Sequence, residues 1–465
     1  MKLIKQFKFL ILIITCILAG SCEDFLEVGV PNHKIVSETV FENDDTALSA
    51  MTGIYNELFN ASFSGGWNYS VTVLAGLSAD ILQPINPESP TFGEFYQNEI
   101  TPDNSPNLSL WSSAYNIVYM TNAILEGLEQ SDDLTEQTKI RLEGEAKFIR
   151  AFTYFYLVNI YGDVPLVLTT DYRDNSLVSR DSAEEVNAQI LSDLESALDL
   201  LGTEYLAAER THVNRFVVMA FLARVHLYQQ NWEQAETLSS EVIAQTSTYE
   251  ILEDLDQVFL ANSREALWQI SPIGRGNILT STGEGQVFIG TSRSALKLAD
   301  SFIENIDPQD KRLSNWVNIF TNATRNFYFP YKYKDRSSLS NITEYSMVLR
   351  LAEQYLIRAE AKAMQGNLSG AIADVDIIKS RAGIDLIEET NPGISIEELL
   401  KVIMEERKLE LFAEWGHRWL DLKRTGKAAE VLEAKTFLWQ DTDLLYPMPE
   451  AERMKNPNLG QNLGY

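Results

Sequence analysis

The sequence predicts a mainly α-helical fold, a scaffold of tetratricopeptide-type helical hairpins that carries a loop-rich region with short β segments. Three observations predict it. From Asp103 onward, apolar residues recur at helical spacing in segment after segment. Residues 223–243 and 359–381 are built alike: a helix rich in small residues, a polar corner, an aromatic or Leu, and then Ala235 or Ala371 three positions on. Residues 60–106 are loop-rich, and 245–345 break the period with short β segments around the Gly- and Ser-rich stretch 274–285.

The chain opens on a leader. Lys2, Lys5 and Lys8 precede an apolar stretch over residues 9–19 that closes on Gly20 and Ser21, which is secretory-signal architecture. The stretch is shorter than the ~20 residues a membrane helix needs. Cys22 follows directly, so the end of the leader reads as a lipobox, with small residues admitting the peptidase and the thiol accepting the acyl group. An ordinary cleaved signal with an incidental cysteine is the alternative. Of the two cysteines in the chain, Cys16 leaves with the leader and Cys22 is consumed by lipid, so neither a disulfide nor a thiol nucleophile is expected. Two or more acyl chains anchor stably where one does not, so the body is expected to sit in water beside a membrane.

Composition fits that division. With 45% apolar and 10% aromatic residues the mature chain can bury a large core. Losing three lysines with the leader takes the net charge from −28 to −31, which repels nucleic acid and anionic surfaces. A polyanionic ligand would need a local basic pocket, for which Arg293, Lys297, Lys311, Arg312 and Arg325 are the candidates.

Helix starts are legible along the scaffold. Ser182 with Glu185 makes a capping box before a stripe of Val186, Ile190, Leu194, Ala197 and Leu201 that Gly202 stops. Ser395, Glu398 and Gly416 repeat the design, predicting a helix up to that glycine. Helix pairs near 107–161 and 181–230 extend the stack to around four degenerate hairpins in a right-handed superhelix. Within the region that interrupts the repeats, "EALWQI" and "NFYFPYKYK" read as short strands on either side of the flexible "GRGNILTSTGEG". Domain boundaries are expected at 1–21 (signal peptide), 22–245 (helical hairpins and binding loops) and 246–465 (loop and β insert with the last hairpin).

Catalytic and metal signatures do not occur. His33, His212, His226 and His417 are scattered without metal-ligand spacing, and no GxSxG elbow or phosphate-cradling loop is present. No cofactor, metal or enzyme activity is therefore expected. Binding is expected where irregular segments ride on a rigid scaffold. Trp111, Trp232, Trp268, Trp415 and Trp419 lie in periodic apolar segments and read as core, whereas Trp67 and Trp316 are flanked by polar residues and read as exposed ligand platforms. Asp80, Gln83, Phe92 and Tyr96 are the polar and aromatic residues expected near Trp67, with structural packing as the competing role. Arg325 opens "RNFYFPYKYKDR", in which Phe327, Phe329, Tyr331 and Tyr333 share a strand face and favour the core.

Four blocks, "EGEAKFIRAFTYFYLVNIYGDVPLV", "LRLAEQYLIRAEAKAMQGN", "EERKLELFAEWGHRWLDLKRTGK" and the terminal "LYPMPEAERMKNPNLGQNLGY", resemble, in order, the signature segments of the SusD/RagB family. "SCEDFLEV" is also how such proteins begin. The resemblance implies a SusD-like fold and an outer-membrane, cell-surface lipoprotein of Bacteroidetes, anchored through Cys22. It also implies capture of oligosaccharides or polysaccharides for a SusC-like TonB-dependent transporter, without cofactor or catalysis, and Glu23 and Asp24 resemble the family's surface-export signal. Peptide capture, as by RagB-like members, and a surface glycoside hydrolase are the alternatives.

Overall fold

The computed structural model describes residues 37–272, 280–337 and 341–465. The leader, Cys22 and the whole of "GRGNIL" lie outside the described residues.

The scaffold is helical, and its helices pack in chain order. The first long pair, α1 (Ser105–Gln130) and α2 (Glu136–Tyr161), lies against α3 (Ala183–Leu200); α3 meets α4 (Arg215–Tyr228), and α4 meets α5 (Trp232–Ile243). Although about a hundred residues intervene in sequence, α5 packs directly on α6 (Leu351–Met364), which pairs with α7 (Leu368–Ala382) and α8 (Ile396–Glu410). The contact is close because Ala223, Ala235 and Ala361 meet there with no exposed surface. This is the expected stack of small-residue hairpins.

Local chemistry sets the ends of these helices. Asn104, Thr135, Ser182, Asn214 and Ser395 each accept a backbone N–H in the first turn, and both predicted capping boxes are formed. One boundary differs from expectation. Helix α8 stops at Glu410 instead of running to Gly416, because the Glu410 carbonyl accepts from Lys332 Nζ (2.8 Å) and Arg350 Nη2 (2.6 Å). Beyond it, Ala413 (φ 53°) and Trp415 (φ 44°) take left-handed backbone, and the Trp415 N–H donates to Thr72 Oγ1 at 3.0 Å. The chain re-enters a helix over His417–Arg424.

Short strands make three two-stranded antiparallel ribbons: β1 (Leu82–Pro84) with β3 (Leu296–Leu298), β2 (Ala266–Ile270) with β6 (Ser346–Arg350), and β4 (Val317–Thr321) with β5 (Asn326–Pro330). The two predicted strands are β2 and β5. One main core runs from Phe41 to Leu459 and joins both halves of the chain.

Under the second and third ribbons lies a buried ionic network. Arg350 pairs with Glu265 (3.0 Å), Glu414 (2.9 Å) and Glu410; Arg381 pairs with Glu265 (2.8 Å) and Glu410; Arg312 pairs with Asp310 (2.7 Å), Glu406 (3.1 Å) and Glu410 (3.3 Å). Burial would raise the Glu410 carboxyl, but Arg381, Arg350, Arg312 and Lys332 hold it far below the usual carboxylate range. Trp316 sits among these cations, 0% exposed, with Lys332, Arg350 and Arg381 at 4.7, 5.7 and 5.5 Å from its ring centroid. Its indole N–H donates to the Leu255 carbonyl at 3.0 Å. Trp316 is therefore a core residue and not an exposed platform: the polar neighbours that suggested exposure include Arg312, which is itself buried.

Candidate functional site

The two loop-rich stretches are interlocked. Gly65 and Gly66 pass so close to the start of a short helix, α9 (Gly283–Phe288), that a Cβ on Gly283 would lie 2.1 Å from the Gly65 carbonyl. The contact requires glycine on both sides, and Gly66 also has φ +73°. Next along the chain stands Trp67. Its indole N–H donates to the Phe59 carbonyl at 2.8 Å and its ring meets Phe59 edge-on at 5.5 Å, which fixes its orientation while leaving it partly exposed. An aromatic held in this way loses little freedom when it stacks on a ligand.

Farther along, the first ribbon couples the same two stretches. Alternation along both strands turns Leu82, Pro84, Leu296 and Leu298 inward, and the directly opposed pair Gln83 and Lys297 outward. The ribbon is lengthened by bonds from the Ile85 N–H to the Ala295 carbonyl (2.8 Å) and from the Ala299 N–H to the Ile81 carbonyl (2.9 Å). Lys297 Nζ donates to both oxygens of Asp300 at 2.7 Å. Tyr96, on the short helix Gly93–Gln97, has its phenol pKa raised by burial and by the nearby Asp300 charge, which brings it into this group.

Tyr96 is held from beneath. Lys435 Nζ lies 5.0 Å from its ring centroid and donates to the carbonyls of Leu77, Ser78 and Ala79 at 2.7 to 2.9 Å, closing the helix Val71–Ser78. The outward face thus carries an amide, an ammonium and a carboxylate, with the Tyr96 phenol near the Asp300 charge, groups that donate to and accept from vicinal hydroxyls.

Arg325 borders this ribbon. It lies in the exposed turn joining β4 to β5, and its Nη1 donates to the Ser294 carbonyl at 3.2 Å, two residues before β3 begins. Strand β5 packs beside β3, and Gly290 fits against Phe320 and Phe329. On the hairpin's outer side, the cross-strand pair Ile319 and Tyr328 is 44% and 40% exposed.

Two expected residues stand elsewhere. Asp80 gives both oxygens to Arg418, at 2.7 and 2.9 Å, with Lys408 at 3.9 Å. Burial would raise its pKa, but the Arg418 hydrogen bonds and charge hold it low. Asp80 is consequently a tie between the β1 segment and the helix His417–Arg424. Phe92 is buried at 4% exposure. Of the basic candidates, Arg312 belongs to the buried network and Lys297 is paired with Asp300. Sequence reasoning missed Asp300 and the role of Lys297, although the alternation in "ALKLA" signals a strand with Lys297 outward. Among the described residues, no group of His, Cys, Asp and Glu is arranged to hold a metal ion, and no helix is long and apolar enough to cross a membrane.

Comparison with known proteins decides what this architecture is. Residues 84–227 match a family described as "Starch-binding associating with outer membrane", and residues 280–465 match the SusD family. The chain belongs to the SusD/RagB family. A SusD-like protein of Formosa agariphila is 26% identical over 99% of this chain and 98% of its own. The fold is that of a SusD superfamily protein from Bacteroides vulgatus (TM-score 0.79, 20% identity, 92% of this chain and 100% of the other). It is also that of a laminarin-binding SusD-like protein (0.78, 23%, 91% and 100%) and of surface glycan-binding protein A from Bacteroides fluxus (0.73, 21%, 90% and 99%).

Proposed function

We propose that this SusD-like chain is a non-catalytic surface lipoprotein that captures oligosaccharides and passes them to a SusC-like TonB-dependent transporter. The observation that carries the reading is the outward face of the β1–β3 ribbon, where Gln83, Lys297, Asp300 and Tyr96 stand together on a face built from both loop-rich stretches. In this reading the amide, carboxylate and phenol take sugar hydroxyls, Trp67 stacks on a pyranose C–H face, and Arg325 extends the face. Lys297 is neutralised by Asp300, which favours neutral glycans over uronates or sulfates. Anchoring through Cys22 and an outward orientation complete the proposal, since a lipid-held receptor stays beside its transporter.

A calorimetric screen of neutral oligosaccharides, laminarin oligosaccharides among them, and of peptides tests it. Saturable binding of a neutral glycan is the expected result. Binding of peptides alone would overturn the glycan reading, and release of new reducing ends from a bound polymer would overturn the non-catalytic one.

A further inference from the structure

Glu284 is a buried acid that the glycan face does not use directly. It is 3% exposed, in the first turn of α9. One carboxyl oxygen accepts from Ser346 Oγ at 2.6 Å, and the other is buried with no hydrogen-bond partner. The carboxyl fills the space that glycine leaves at position 66: a Cβ there would lie 2.2 Å from the carboxyl carbon. The titratable groups facing it are Tyr333, beyond β5, Glu344, ahead of β6, and Glu414, beyond α8. The Ser64–Trp67 loop that covers it carries no charge. Glu414 is already committed to Arg350 and Lys332, so Glu284 has no cation of its own.

An unpaired carboxylate in such a site is costly, whereas the neutral acid fits. We propose that Glu284 is a positioning residue for Trp67: neutral, its carboxyl seats the Ser64–Trp67 loop on α9, and ionised, it loosens that loop. The proposal rests on the reading of Trp67 as a ligand contact only for its effect on binding. Burial, opposed by hydrogen bonds from Ser346 and from Glu284's own backbone N–H and reinforced by Glu414 and Glu344, pushes the Glu284 pKa up to about 7. The proton is therefore bound in the folded chain, and absent from the unfolded one, from the ordinary carboxylate range up to about pH 7. Over that window seating weakens as pH rises, and above it the loss is complete.

The test uses the whole mature chain without ligand. Hydrogen exchange over residues 62–70, corrected for intrinsic rates, is followed from pH 5 to pH 8.5 in the wild type and in Glu284→Gln, which keeps the shape but cannot ionise. Protection in the wild type is expected to fall by roughly tenfold per pH unit from pH 5 towards pH 7 and to level off above it, and in Glu284→Gln to stay flat. Ser346→Ala, which removes the side-chain donor, should move the transition to higher pH. A flat wild-type profile, or the same fall in Glu284→Gln, would overturn the proposal. Laminarin oligosaccharide affinity is titrated alongside: a parallel loss ties seating to binding. Loosening without loss of affinity supports the positioning role and counts against Trp67 as a ligand contact.

Discussion

Trp316 and Trp67 both stand among polar residues in the sequence, and only three-dimensional neighbours separate them. In space Trp316 is surrounded by Lys332, Arg350 and Arg381, cations from elsewhere in the chain folded inward near its ring and balanced by Glu265, Glu410 and Glu414. Trp316→Ala should therefore cost about 3–5 kcal/mol of stability in urea unfolding, with the ligand face unaltered in the folded fraction. The structural tie of Asp80 is illegible for a similar reason: its partner Arg418 is 338 positions away and no local pattern announces it. Its lowered pKa means its contribution is fully present above the ordinary carboxylate range and is lost as pH falls through the folded value. Asp80→Asn should reduce stability by about 1–3 kcal/mol at pH 7, and the difference between wild type and variant should shrink as pH falls below the ordinary carboxylate range. Equal stabilities at pH 7 would show the tie to be idle.

Helices were the most legible elements, because capping boxes such as Ser182 with Glu185 and the small-residue pattern around Ala235 and Ala371 act within one or two turns. Strands β1, β3, β4 and β6 were not expected, since segments of three to five residues gain their pairing from partners far along the chain. Part of the site was legible for the same reason: Gln83 and Tyr96 could be named as candidates, but their meeting with Lys297 and Asp300 depends on the register of β1 with β3. The junction of Gly65 and Gly66 with α9 belongs to this scale as well. Gly283→Ala forces a Cβ onto the Gly65 carbonyl, so the loop should separate. Hydrogen-exchange protection is expected to drop over residues 62–70 and 281–288 and to persist in the Trp232–Ile243 and Leu351–Met364 helices. Uniform loss across the chain would instead mean that the junction supports the whole fold.

At the scale of the molecule, a rigid helical stack presents loops from both halves of the chain as one acidic body carrying a weakly charged ligand face. Tethering it at the membrane is the role expected of Cys22. Replacing Cys22 with Ala should move the protein from the membrane to the soluble fraction without changing its thermal midpoint; persistence in the membrane fraction would refute the lipid anchor. Glycan capture on the outward face of the β1–β3 ribbon is tested most directly by calorimetric titration of laminarin and other neutral oligosaccharides. The titration compares the wild type with Gln83→Ala and with Tyr96→Phe, which preserves ring packing over Lys435. The predicted result is saturable binding of a neutral glycan that weakens about fivefold in each variant, one hydrogen bond apiece, with unchanged folding; undiminished affinity in both variants would contradict it.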